Sequence, residues 1–251
     1  ALPTSKQSDS GSSMKDSRLQ TQEFQAGYCV SYYLQAVVRF CFARARCEAQ
    51  LLSVPLFWIQ AADDIDGLGA PPKEEQAKVL KALLRHWNIH DTAHLHTLLP
   101  AYVGQRVRLT EKISADHRLV QEAEGTVVHI VLDPEECDEA VSGEVALTYC
   151  PLGIWVCFDD CKEAPLASQL CDKIDASARE ALWRLNSSSP TSSRGPDSKV
   201  KPVRERMAFV PAVTRSFSRM IAGKKWTIKR RMVPLTSALD RTIQSSQGSV
   251  S

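Results

Sequence analysis

The chain has 251 residues, 43% of them apolar and 24% charged, with 31 basic against 29 acidic side chains and a formal net charge of +2. That balance is the globular average: it excludes wholesale disorder and, at roughly 100–200 residues per domain, leaves room for one large domain or two small ones. No apolar run approaches the ~20 residues that span a bilayer, because Gln35 and Arg39 break the richest stretch, Val30 to Phe42.

Residues 1–16 are Ser-rich and read as disordered, with no apolar core of a secretory signal. The expectation is an intracellular protein with no membrane association, and an opening Ala instead of Met points to sequence upstream. Residues 17–52 carry few breakers, and Phe24, Tyr28, Val30, Tyr33, Leu34, Val37 and Val38 predict one or two helices. Val54 to Ile59 has the length of a buried strand, closed by a turn at Asp63, Asp64, Asp66 and Gly67. Pro71-Pro72 then opens a helix through Trp87, with Leu80, Leu83 and Leu84 on one side. His86, His90, His94 and His96 fall within eleven residues. Asn88, Asp91 and Thr92 interrupt any helical face there, so these read as solvated loop histidines and not as a metal site.

From residue 101 the texture turns to strands. Tyr102-Val103 with Val107 to Thr110, Gly125 to Leu132, Glu144 to Tyr149 and Gly153 to Phe158 are separated by turns at Asp133-Pro134 and Ser142-Gly143. Such short strands predict a small antiparallel barrel. A short helix over 172–185 and a Ser/Pro/Gly-rich linker over 186–201 follow. Met207 to Val213 and Lys225 to Met232 read as strands, and Pro234-Leu235-Thr236-Ser237 as the start of a final helix. The eight cysteines contain no C-x2-C pair, which argues for free thiols, several buried, over a zinc knuckle or a disulfide framework.

Charge is uneven. Residues 1–193 carry 18 basic and 26 acidic side chains, a net of −8, whereas residues 194–231 carry 12 basic and 2 acidic, a net of +10. Arg215, Lys229, Arg230 and Arg231 lie in that basic run beside Phe217 and Trp226. Cations that displace counterions, next to rings that stack on bases, suit single-stranded nucleic acid; a solvated charged face is the plainer alternative. No complete catalytic set is legible. Ser218 to Lys225 (SRMIAGKK) has Ser218 and Lys225 where a phosphate loop needs Gly and a hydroxyl. Asp159-Asp160 after an apolar strand reads as a turn, not as a magnesium site.

Three blocks, in order, resemble the C-terminal half of the Pif/RecD-like superfamily-one DNA helicases. Leu98 to Thr110 (LLPAYVGQRVRLT) resembles the family's LP-L-x-x-G-M-x-V-x-L-T strand, and Ala123 to Val128 its N-G-T-x-G-x-V turn. Lys229 to Thr236, followed by Thr242 to Val250 (TIQSSQGSV), resembles R-x-Q-x-P-L…A-x-T-I-H-K-S-Q-G-x-T. The resemblance implies an α/β fold: part of a second RecA-like motor domain with an inserted small β-barrel of Src-homology-3 type, and a helical N-terminal region. It divides the chain into 1–16, disordered; 17–97, helical with one short strand; 98–171, the barrel-like insert and flanking strand; 172–203, helix and linker; and 204–251, basic motor-domain sequence. Thr242, Ser246 and Gln247 match positions where the family contacts single-stranded DNA, and Gly248 one that couples the strand to the nucleotide cleft. Gln244, Ser245 and Val250 depart from the family's His, Lys and Thr. ATP and magnesium are implied for the full-length family, but the phosphate loop and the arginine-finger motif are missing from this sequence. The expectation is therefore a helicase fragment, unable to hydrolyse ATP alone, that lacks its first motor domain. Family habit places it in nucleus or mitochondrion, in DNA repair and recombination. The alternatives are a non-catalytic nucleic-acid- or protein-binding module and a decayed gene product.

Overall fold

The first long helix, α1 (Leu34–Leu52), stops where its last turn is capped by backbone. Ser53 adopts a positive φ of 54°, its N–H bonds the Gln50 carbonyl, and the Val54 N–H reaches back to Ala49. This is the Schellman arrangement, and Pro55 then forbids any further helical turn. The computed structural model describes residues 29–31, 34–66, 73–86, 88–136, 143–161, 206–238 and 240–242. The expectations for 1–16, 172–185 and 186–201 lie outside these residues.

Strand β1 (Cys29–Ser31) precedes α1, which buries Val37, Ala45 and Ala49 along one stripe. The two alanines let the helix approach Leu56 and Tyr102 closely. Strand β2 (Leu56–Gln60) is followed after one residue by β3 (Ala62–Asp66), so the acids expected to form a turn instead lie in a strand. Helix α2 (Lys73–Leu84) seats Val79 and Leu83 on Trp226 and Ile228. Glu74 and Glu75 in its first turn and Lys81 in its last complement the helix dipole. A short 3-10 helix (Ile89–Thr92) is capped by the Asn88 side chain, which accepts from the His90 N–H.

The remaining strands are β4 (Leu98–Ala101), β5 (Arg106–Leu109), β6 (Glu124–Val131), β7 (Glu144–Ala146), β8 (Gly153–Phe158), β9 (Met207–Pro211), β10 (Val213–Ile221), β11 (Lys224–Met232), β12 (Leu235–Ser237) and β13 (Asp240–Thr242). They pair as a five-stranded antiparallel sheet in the order β12-β5-β6-β8-β9, two three-stranded sheets, β4-β2-β7 and β10-β11-β3, and a parallel pair, β1-β13. The fold is mixed α/β and mostly sheet. Among the described residues no sheet closes on itself, so the expected small barrel is an open sheet with β12 and β9 at its edges. Strands at β5, β6, β8 and β9 were anticipated, but the anticipated β7 pairs with β2 in another sheet, and closure was not borne out, because β5 recruits β12 from far along the chain and β8 recruits β9.

Every residue of β8 is buried, as its unbroken apolar run demands of a strand covered on both faces. Gly153 is required at its start: a Cβ there would run into the Phe209 ring and lie 2.6 Å from the Val210 carbonyl. Two further expectations are corrected. Residues from Leu235 form β12 in place of a final helix, pairing Leu235 with Leu109. Tyr102 lies between two strands, β4 and β5, that belong to different sheets. The main core joins all of this, with Ile59, Leu99, Leu109, Val127, Ile154, Val210, Met232 and Leu235 in one cluster.

Candidate nucleic-acid interface

Strands β10 and β11 form a hairpin of nine paired residues on each side, closed by Ala222-Gly223. Both turn residues have positive φ, 52° and 78°, the two-residue turn whose twist matches that of the strands. Strand alternation then sorts the basic residues. Trp226, Ile228, Arg230 and Met232 point inward and are buried, whereas Lys225 and Lys229 are exposed and Arg231 is half-buried. Across the hairpin the partners of Lys225, Thr227, Lys229 and Arg231 are Met220, Ser218, Ser216 and Thr214. The outer face thus carries three cations and Thr227 along β11 beside three hydroxyls and Met220 along β10. On the far side of β11, Asp64 and Asp66 of β3 sit opposite Lys229 and Thr227.

Arg230 does not share that face. Its side chain is fully buried, with Nε and Nη2 each 2.7 Å from a carboxylate oxygen of Asp63. Nη1 donates to Thr97 Oγ1 at 2.9 Å and to the Leu95 carbonyl, and the Phe217 ring lies 5.3 Å away. A guanidinium so enclosed is committed to the fold, and an exposed strand of nucleic acid cannot reach it. In a strand, Lys229, Arg230 and Arg231 cannot all face one way; period two assigns the middle one to the core. Arg215 is exposed but held by Nη2 at 3.0 and 3.1 Å from the two Glu111 oxygens. Arg219 donates to His86 Nε2 at 2.7 Å. Burial first, then the Arg219 charge, lowers the His86 pKa, so the ring accepts that bond in its neutral form. Lys224 lies 4.4 Å from the centre of the Trp226 ring and 3.5 Å from Glu75.

The other anticipated residues fall elsewhere. The backbone of Thr242 ends β13, opposite Ser31; Ser246, Gln247 and Gly248 lie outside the described residues. Asp159 and Asp160 form the expected turn and bind Arg106 and Arg118 respectively. Sequence reasoning passed over Lys225, whose parity with Lys229 and Arg231 was the available signal. It also misplaced His96: instead of a solvated loop residue, its Nε2 is buried.

No family model matches the sequence, and no curated protein matches it. Among solved structures the chain is similar to the Pif1 helicase from Candida albicans, at 14% identity and a TM-score of 0.40 over 89% of this chain and 37% of that one. It is similar to unliganded Pif1 from Bacteroides sp at 11% identity and a TM-score of 0.39, over 88% of this chain and 43% of the other. A structure of two coordinating Pif1 helicases at forked dsDNA gives 12% identity and a TM-score of 0.37, over 89% and 31%. The chain therefore spans well under half the length of each. No helix among the described residues is long and apolar enough to cross a membrane.

Proposed function

We propose that this chain is part of a helicase-like motor protein and contributes contacts to single-stranded DNA through the outer face of the β10–β11 hairpin. The observation that carries the reading is the placement of Lys225, Lys229 and half-buried Arg231 on the outer face of β11, with Ser216 opposite Lys229, Thr214 opposite Arg231 and Ser218 opposite the intervening Thr227. Alternate residues on a strand are ~6.6 Å apart, a step comparable with that between phosphates of an extended single strand. Lys229 and Arg231 are one such step apart and Lys225 is two steps from Lys229, and cations in that register, with hydroxyls beside them to donate to phosphate oxygens, bind backbone without reading sequence. The resemblance of Leu98 to Thr110 and of Lys229 to Val250 to helicase motifs supports the same reading. Under it, Thr242, Ser246 and Gln247 add strand contacts and Gly248 lies toward the nucleotide. A first motor domain supplies the phosphate loop, ATP and magnesium, and this chain alone does not hydrolyse ATP.

Fluorescence anisotropy with a labelled oligo-dT tests it. Binding is expected to weaken with salt, with a log–log slope near −2 for three phosphate contacts at about 0.7 each. Replacing Lys225, Lys229 and Arg231 together by Ala should abolish most of the affinity for every oligonucleotide sequence while leaving the thermal midpoint in place. Unchanged affinity in that variant would move the interface off the hairpin.

A further inference from the structure

Between the start of β3, the outer side of α2 and the segment that follows β7 lies a cavity of about 470 Å3, the size of sites that hold small organic groups. Leu80 and Leu84 of α2 and Leu147 make apolar walls, and Gln60, Thr148 and Asp133 supply polar edges. Helix α2 has more apolar surface than the core covers. Its Val79 and Leu83 pack on Trp226 and Ile228, whereas Leu80 and Leu84, one position on, remain 37% and 39% exposed. Tyr149 also lines the cavity and is 42% exposed. Three large side chains left open around one hollow mark a surface that binds something.

Arg231 lines this cavity too, and it belongs to the outer face of the hairpin, so it stands where the two surfaces meet. The other arginines of the hairpin are held: Arg215 by Glu111, Arg219 by His86 and Asp91, and Arg230 by Asp63. Arg231 has Thr214 and Ala62 as its strand partners and makes no hydrogen bond or ion pair among the described residues. Such a guanidinium keeps its capacity for a phosphate. The carboxylates on the other side are engaged. Asp133 accepts from the Glu135 N–H, and Glu136 accepts from the Thr148 and Tyr149 N–H groups. The Glu135 charge raises the Tyr149 pKa and its carboxylate takes the hydroxyl bond, so the phenol stays neutral. Asp133 in the wall repels a phosphate from the interior and leaves Arg231 as its seat. We propose that the cavity takes one base of a bound single strand. The nucleotide whose phosphate sits on Arg231 turns its base inward, against Tyr149 and between Leu80, Leu84 and Leu147; this rests on the hairpin reading above. A base is planar, uncharged and open to stacking on both faces, which suits walls of leucine and tyrosine beside carboxylates. Gln60 and Thr148 each donate and accept, so they serve the edge of any base and select none.

Fluorescence anisotropy on the full chain with two labelled strands of equal length and charge tests this: oligo-dT, and the same backbone carrying abasic tetrahydrofuran sites in place of every base. Oligo-dT should bind at least about tenfold more tightly, within the range of a stacked base. Tyr149→Ala and Ala62→Trp both change exposed positions; the first removes the stacking ring and the second fills the hollow. Each should lower the affinity for oligo-dT severalfold, toward that of the abasic strand, and leave the abasic strand's own affinity in place. Should Ala62→Trp fail to fold, Tyr149→Ala decides alone. Equal binding of the two strands, or a preference for oligo-dT that is undiminished in the variants, would overturn the proposal while the phosphate contacts of the hairpin stand. Binding of neither strand would overturn the hairpin reading and this one with it.

Discussion

Asp63 and Arg230 divide the basic run into what binds and what folds. The pair is enclosed, and removing one charge strands the other in a medium that cannot solvate it. Asp63→Asn should therefore cost about 3–5 kcal/mol in urea denaturation, while Lys229→Ala on the outer face should stay within about 0.5 kcal/mol. His96 adds a pH dependence. Its pKa falls from 6.5 to about 4 on folding, so the folded chain disfavours the protonated ring. Its contribution is complete above pH 6.5 and is lost as pH drops toward 4, about 2 kcal/mol by pH 5. Comparing urea midpoints at pH 7 and 5 for the native chain and His96→Gln should show a smaller acid loss in the variant. Of these residues, the period-two split of Lys229, Arg230 and Arg231 was legible in the sequence once a strand was assigned. Which side faced the core was not, because it depends on Asp63, 167 positions away.

Elements with one-sided logic were readable; those made by distant partners were not. β8 is apolar at each position from Gly153 to Phe158 and could only be a covered strand. Three acids in five residues argue against a strand at Ala62–Asp66, and β3 forms there because β11 presents Arg230 to Asp63 and Lys229 opposite Asp64. Pro234-Leu235-Thr236-Ser237 has the look of a helix start, yet pairing of Leu235 with Leu109 overrides that local preference. Two glycines separate packing from backbone freedom. Gly153→Ala drives a methyl into Phe209 and the Val210 carbonyl and should cost about 3 kcal/mol. Gly223→Ala meets no atom within 4 Å but must hold φ at 78°, which should cost about 1 kcal/mol. Thermal denaturation of the two variants should rank them in that order.

At the scale of the molecule, the segment expected to form a barrel does not own its core. Ile59 and Ala61 precede it in sequence, and Ala208, Val210, Met232 and Leu235 follow it, yet all pack in the main cluster. Residues 98–170 expressed alone should therefore lack a cooperative transition and sharp near-ultraviolet dichroism. A cooperative melt of that piece would favour the stand-alone binding module over the motor-protein reading.

The parallel pairing of β1 with β13 has a mechanical consequence. Cys29 lies beside Asp240 and Ser31 beside Thr242, so the described chain enters and leaves side by side, with both strands running the same way. Tension applied through the segments before β1 and after β13 pulls the two strands lengthwise in opposite directions. The ladder is then loaded in shear, its bonds sharing the force instead of opening one after another. At three residues it is also short, so it is the first joint to give, and the antiparallel sheets behind it bear load only after it has parted.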